Sequence, residues 1–512
     1  MDAPGLHLTR VPGMSQENIP SYIVEALRLV EDITGWQDLP TLPPIMKVLP
    51  SSKSTTFKIF VNSILGDLFA CLKRQYAKRS DERLFGQLLL LLSVLPRFLF
   101  AGPLREGGRK GDLVSIFKSP LERVLAFKEK GGPYRLWSDS EKMASFYDEK
   151  IVSMSKEEVN HNEGGLSKGD VDRIVSLLSD GNAEISKASR IAFSDFSLHN
   201  FATAEEVKNS FYSKYNEDDV TNPGLEARIK RVLSKEYEEG RLKRPGDDGF
   251  ESSVSRGAIK KYLRDKVPSD QPDILGWREF SMKQIISWDS ENASLFEWLC
   301  DIILTGGVPE AYEWLFASFS FMVLDHRVND KQRVITPSAS NIGKMAASAH
   351  MGHNKGSLKE KAGPAQMGFG VSSGAIVGAH ALKIISDDRA RLFRGVNSQY
   401  VQVVSDARGF FYQLGKSAWV DALIEAKEFR LLQAAVVQVG NQNGSVIART
   451  TGRKKVVFVA PYNGLPVGHP MAPYLASLPV SMSYSKALSA CAADDVLFSY
   501  RYERFLYSSF FF

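Results

Sequence analysis

The stretch YVQVVSDARGFF, Tyr400–Phe411, decides how the second half of this chain is read. Tyr400, Val401, Val403 and Val404 are good strand formers, and the run closes on Ser405-Asp406. A carboxylate at the end of an apolar strand is placed to hold a metal at the rim of a sheet. Strand-ending aspartates also serve simply as turn formers, so Asp406 alone leaves both readings open. Two more runs have β character, FASFSFMVL (Phe316–Leu324) and KVVFVA (Lys455–Ala460). They alternate with helical stretches, which makes this half α+β or α/β.

Upstream the pattern is helical. Residues 1–16 read as a flexible tail. Ile23, Ala26, Leu27 and Val30 recur at helical spacing before Pro40, Pro43 and Pro44 break the run. A second helix is expected over Phe57–Arg74. Leu88–Leu95, closed by Pro96, is the most apolar stretch, and it falls well short of the ~20 residues needed to span a bilayer; a buried core helix is expected there. LERVLAFKEK, SKGDVDRIVSLLSDG, AEISKASRIAF and ATAEEVKNSFYSKY read as short amphipathic helices. A charged helix over Leu225–Leu242 runs into RPGDDG, Arg244–Gly249, whose Pro/Gly/Asp content marks a boundary. The expected organisation is therefore a tail (1–16), a helical region with basic loops (17–250) and an α+β region (251–512), without internal repeats.

With a net charge of +5, the chain permits a polyanionic partner without requiring one. Cys71, Cys300 and Cys491 lack the spacing of a zinc site or a disulfide framework. His350 and His353 read as exposed loop residues. The N-terminal stretch has neither the basic flank nor the apolar core of a signal peptide, so an intracellular location, nuclear or cytoplasmic, is expected.

Two further motifs follow YVQVVSD. GLPVGHPMAPY, Gly464–Tyr474, has the glycine and proline density of a rigid turn and would let backbone approach a substrate closely. Ala492-Ala493-Asp494-Asp495 sets two carboxylates side by side; such a pair, if clustered, needs a cation, and otherwise it is a solvated turn.

Taken in order, these motifs resemble those of reverse transcriptases of the non-LTR, LINE-like retrotransposon type. Asp406 with an aromatic five residues on, Phe411, is similar to the first catalytic motif. GLPVGHPMAP resembles the Gly-x-x-x-Gly-x-Pro-x-x-Pro motif, and AADD resembles the aromatic-Ala-Asp-Asp box. Upstream, Leu304–Pro309 with Trp314-Leu315-Phe316 resembles the segment entering the fingers, and Arg333-Val334-Ile335 through Lys344 is similar to the Arg-Pro-Ile strand and its continuation. Pro364–Gly370 with Gly374-Ala375 and His380-Ala381 resembles the stretch preceding the first catalytic motif. The resemblance covers roughly residues 255–500.

This resemblance implies a right-hand polymerase: fingers and palm with an antiparallel palm sheet, behind a mainly helical N-terminal half. It implies RNA-directed DNA synthesis by two-metal nucleotidyl transfer, with an RNA template, a DNA primer and dNTPs as partners and no membrane. Asp406, Asp494 and Asp495 would be the catalytic carboxylates, holding Mg2+ or Mn2+. Phe411 would exclude the ribose 2′-hydroxyl. Arg327, Lys331 and Arg333 would meet the triphosphate, and Gly464 and Gly468 would help form the nucleotide pocket.

The chain also departs from the family pattern. His469 stands where aspartate is usual, Gly409-Phe410 replaces Asn-Ala, and Ala492 replaces an aromatic. SKALSACAA before Asp494 is a poor β-former where the family has an apolar strand. The chain closes in YERFLYSSFFF, and on this reading a thumb is absent, as in a truncated element. Two rivals remain. GFGVSSG, Gly368–Gly374, could be a phosphate-binding loop, but the preceding segment is not an apolar strand. LKRQYAKR, REGGRKG, ARIKRVLSKEYEEGRLKR and GRKK would suit a non-catalytic RNA- or DNA-binding protein on a degenerate polymerase fold.

Overall fold

The computed structural model describes residues 19–50, 55–78, 81–102, 119–158, 196–215, 223–268, 270–326, 332–362, 410–440, 444–450, 455–459 and 464–493. Among the described residues the chain is mixed α/β, mostly helical, with two small sheets. The tail, the SKGDVDRIV and AEISKAS segments, the Gly368–Gly374 loop and the YVQVV run lie outside the described residues.

The N-terminal helices are α1 (Ser21–Val30), α2 (Thr55–Lys78), α3 (Glu82–Leu99), α4 (Pro120–Lys128) and α5 (Gly132–Glu158). In α1 the residues Ile23, Ala26, Leu27 and Val30 are buried, as their spacing predicts. Asp81 caps α3 by accepting from Leu84 N at 2.9 Å. Every residue of α3 from Leu84 to Leu99 is buried, because a helix apolar on all sides must be covered on all sides. The leucine run is thus a core helix. By length and composition α2 could cross a membrane; eight of its residues, from Phe57 to Leu72, are buried.

Arg97, within α3, and Arg123, packed against it, are both buried, and among the described residues no carboxylate is bonded to either. Arg97 donates to the carbonyls of Pro40 (2.9 Å), Thr41 (3.2 Å) and Ile274 (2.9 Å). Arg123 Nε donates to Phe98 O at 3.0 Å. Burial lowers both guanidinium pKa values to about 10, so both stay charged near neutrality. Arg97 thereby ties the first hundred residues to the loop ahead of residue 275, and Arg123 ties α4 to the end of α3 and to Leu136 of α5.

The chain continues through β1 (Phe196–Leu198), α6 (Ala204–Tyr212), α7 (Pro223–Glu238), α8 (Arg256–Arg264), α9 (Glu279–Trp288), α10 (Ser290–Leu304) and α11 (Trp314–Ala317). The charged helix expected to reach Leu242 ends at Glu238, where Gly240 turns the chain at φ +69°. Then come β2 (Phe319–Ser320), β3 (Met322–His326), β4 (Gln332–Ile335), α12 (Asn341–His353) and α13 (Lys355–Ala362). FASFSFMVL is therefore not one strand: its first residues close α11, and the rest divides between β2 and β3. The last described elements are α14 (Phe410–Gln413), α15 (Lys416–Glu425), α16 (Phe429–Gln438), β5 (Ser445–Arg449), β6 (Lys455–Val459) and α17 (Ala472–Ala493).

One sheet has the order β1-β3-β4 and is antiparallel throughout. The other has the order β2-β5-β6, and it departs from an all-antiparallel palm: β2 pairs with β5 in parallel. A parallel pair needs a crossover, and α12 to α16 lie in the connection between these strands.

One continuous hydrophobic core extends from Tyr22 to Leu478, joining α1–α5 to α8–α12 and α15–α17. Trp36 shows how the two halves interlock. Its Nε1 donates to Trp314 O (3.0 Å) and Ser318 Oγ (2.8 Å). Its own carbonyl, with that of Leu39, accepts from Lys455 Nζ on β6. Burial lowers the Lys455 pKa to about 8. A smaller cluster, with Phe201, Phe211, Tyr215, Phe321, Val334 and Val446, fills the space beside the two sheets.

Two local expectations are corrected. His350 and His353 sit on α12, not in a loop, and His350 is 1% exposed. Its Nδ1 lies 3.0 Å from Ser253 O, and burial lowers its pKa to about 4. The segment before Asp494, where the resemblance implies a strand, is helix α17; its alanines and leucines favour helix, in keeping with its poor β-forming composition.

Candidate functional site

Three of the motifs meet at one place. β4 carries Arg333, with Val334 buried and Arg333 exposed. Just beyond β4, Thr336 N donates to Val467 O at 2.7 Å, which joins the strand's end to the Gly464–His469 turn. Leu465 N, in the same turn, donates to Phe411 O at 2.6 Å. Tyr412 closes the triangle: its hydroxyl donates to Val334 O at 3.0 Å. Segments from positions 333–336, 411–412 and 464–468 are thereby bonded to one another.

The glycines have distinct reasons. At Gly464, φ is +117°, and a Cβ would lie 2.4 Å from Tyr412 O. That glycine lets the turn pass the backbone of α14, so its close approach is to protein rather than to open space. Gly468, at φ +102°, is exposed, and a Cβ there would meet Ile335 Cγ2 at 3.4 Å. It packs beside the strand of Arg333.

A buried tyrosine braces the group from behind. The Tyr215 hydroxyl lies 2.9 Å from Thr336 Oγ1, and its ring meets Tyr412 edge-on at 5.1 Å. Burial raises the Tyr215 pKa well above the usual phenol range, so it stays protonated. His469, at the position where the resembled family has aspartate, is buried beside Phe319. Its Nδ1 accepts from Met471 N at 3.3 Å, and burial lowers its pKa to about 3. It is neutral at pH 7 and braces the turn that enters α17.

Of the residues expected in the site, Arg333, Phe411, Gly464 and Gly468 are brought together. Asp406, Asp494, Asp495, Arg327 and Lys331 lie outside the described residues. Among the described residues no group of three or more His, Cys, Asp or Glu side chains could hold a metal. What the described part offers is an exposed guanidinium, a half-buried phenyl ring and a glycine turn, with no titratable general base. Tyr215 and Tyr412 escaped sequence reasoning because their partners lie far away in the chain; the only signal was the aromatic density of FYSKY and FFY.

The loop from Asp270 to Glu279 orders the neighbouring helix. Asp273 Oδ1 accepts from the backbone of Leu275, Gly276 and Trp277, and its Oδ2 accepts from Asn341 N at the start of α12. Burial pushes the Asp273 pKa up to about 7 even against these four donors. Glu279 pairs with Lys266 (2.5 Å) and Lys344 (3.0 Å). Burial would raise the Glu279 pKa, and the two lysines together with the Tyr262 hydroxyl more than offset this. A cavity of about 520 Å³, lined by Glu236, Arg241, His350 and Glu428, shares no residue with the motif group.

No protein-family model and no curated protein sequence matches the chain.

Proposed function

We propose that the chain is an RNA-directed DNA polymerase of the non-LTR retrotransposon type. The observation that supports this is the meeting of Arg333–Thr336, Phe411-Tyr412 and Gly464–Gly468 through three hydrogen bonds. These segments correspond to separate motifs of the resembled family, and a polymerase requires them at one nucleotide pocket. In this reading the exposed Arg333, with Arg327 and Lys331, neutralises the triphosphate, as a fixed cation suits dispersed phosphate charge. Phe411 lies against the sugar, and Gly468, the exposed glycine of the turn, lets the nucleotide approach the backbone.

Asp406, Asp494 and Asp495 would hold the magnesium ions, which take hard oxygen ligands. The bound metals would activate the primer hydroxyl and stabilise the leaving pyrophosphate. The protein's own part is to hold the triphosphate and orient the sugar. The test is primer extension on an RNA template with Mg2+, in the full chain and in Asp406→Ala. Extension lost in the variant supports the reading; extension unchanged in the variant refutes the assignment of Asp406.

One observation favours a second reading, a non-catalytic nucleic-acid-binding protein on the same fold. Helix α17 runs 22 residues, about 33 Å at 1.5 Å per residue, before reaching Asp494. It leads away from the turn at His469, where the resembled family has a strand that returns. Salt-sensitive RNA binding without extension would select this reading.

A further inference from the structure

The 196–215 segment is held against the candidate site at both ends of its length. At its far end Tyr215 bonds Thr336 and packs on Tyr412. At its near end, β1 adds to β3 by backbone pairing, Phe196 opposite His326 and Leu198 opposite Leu324. His199 N, just past β1, donates to Val323 O at 2.8 Å. The His199 ring then spans two carboxylates. Its Nδ1 is 2.6 Å from Asp325 Oδ2 on β3, and its Nε2 is 3.3 Å from Glu206 Oε1 on α6.

Asp325 is the pivot. Its other oxygen accepts from Gln332 Nε2 at 3.0 Å, and Gln332 is the residue before Arg333. Asp325 and Gln332 are also opposite one another in the β3·β4 register. The chain of contacts therefore runs α6–His199–Asp325–Gln332 and ends beside Arg333. Glu206 is fixed separately, its Oε2 accepting from Ala202 N at 2.7 Å. The described charged groups facing the imidazole are Asp325 from β3 and Glu206 from α6.

We propose that His199 is a positioning residue: as an imidazolium it latches the 196–215 segment onto β3 and so fixes the strand that carries Arg333. An imidazole with an acceptor at each nitrogen needs a proton on both to satisfy both. In the neutral form one of the two carboxylates loses its donor, and the latch is held by one bond. Burial would lower the pKa of this ring, but the two carboxylates raise it above the usual histidine value. The sign follows. A folded-state pKa above the unfolded value of about 6.5 gives a contribution fully present below pH 6.5 and lost as pH rises through the folded value.

The role of Arg333 rests on the polymerase reading; the latch itself does not. The test is hydrogen exchange of peptides covering residues 196–215, at pH 6 and pH 8.5. Protection is taken relative to the unfolded chain at each pH, in the wild type, His199→Gln and His199→Arg. All carboxylate contacts here are partly exposed, so an opening constant about fivefold larger at pH 8.5 is expected in the wild type. His199→Gln should be open at both pH values, and His199→Arg, permanently charged, should lose the pH dependence. Equal protection of the wild type at both pH values, or a pH dependence that survives in His199→Gln, overturns the latch.

Binding of a dNTP, measured on the same samples, separates the two ideas. A pH-dependent latch without nucleotide binding would refute the polymerase reading and keep the latch. Nucleotide binding with a pH-independent segment would do the reverse.

Discussion

Gly464→Ala isolates what holds the motif group together. The residue sits at φ +117°, and a methyl there would lie 2.4 Å from Tyr412 O, 2.8 Å from its carbonyl carbon and 3.0 Å from Phe411 O. These are backbone atoms of α14, which cannot rotate away as a side-chain tip would. Two costs add. Backbone strain at this φ is about 2 kcal/mol. Forcing the turn off α14 costs about 2 kcal/mol more and lengthens the Leu465 N to Phe411 O bond of 2.6 Å.

Gly246 supplies the control. Its φ is +95°, and a Cβ there meets nothing within 4 Å, so Gly246→Ala carries the strain alone, about 2 kcal/mol. Urea denaturation of the two variants beside the wild type should place Gly464→Ala lower by about twice the loss of Gly246→Ala. Equal losses would show that the turn does not press on α14, and the argument for a joined motif group would fail with it.

Three other outcomes are expected. His350 and His469 are buried as neutral rings with pKa values of about 4 and 3, below the unfolded value of about 6.5. The unfolded chain therefore takes up their protons first. Stability should be complete above pH 6.5 and fall as pH drops, by about 2 kcal/mol per ring at pH 5; urea midpoints at pH 7 and pH 5 should show His350→Gln losing less than the wild type. Arg97→Met leaves the carbonyls of Pro40, Thr41 and Ile274 without their donor, a loss of about 3 kcal/mol visible in the same assay. Tyr215→Phe removes the bond to Thr336 Oγ1 and the longer one to Leu465 O (3.5 Å) and should cost about 1 kcal/mol, with the ring packing against Tyr412 retained. A loss as large as that of Tyr215→Ala would mean that the hydroxyl, rather than the ring, braces the site.

Local pattern carried the parts of this fold that depend on neighbours in sequence. The spacing of Ile23, Ala26, Leu27 and Val30 located α1. The leucine run located a helix buried on every side, KVVFV gave β6, and Arg333-Val334-Ile335 lies in β4. What sequence did not show depends on residues far apart. His350 reads as a loop histidine among glycines, and its burial is decided by Ser253 O, 97 positions away. Tyr215 gains its meaning from Thr336, 121 positions on. The glycine turn was legible as a turn, whereas the reason for Gly464 was not, because nothing in GLPVG names Tyr412. Asp406, the strongest candidate on sequence, lies outside the described residues, so the group of contacts around Arg333 carries the functional argument instead.

The all-round burial of α3 has a consequence for how the chain is made. Its cover arrives in two instalments. α1 and α2 precede it, and α4 and α5 follow soon after. The other flank is closed by Trp277, whose indole donates to Leu92 O, and by Tyr312, whose ring lies over Gly86. At roughly 5–20 residues per second, translation from Leu92 to Tyr312 takes about 10–40 s. For that interval a leucine-rich flank stands at the ribosome without its native lid. Chaperone capture of nascent chains should accordingly peak after α3 emerges and subside once Tyr312 has cleared the exit tunnel.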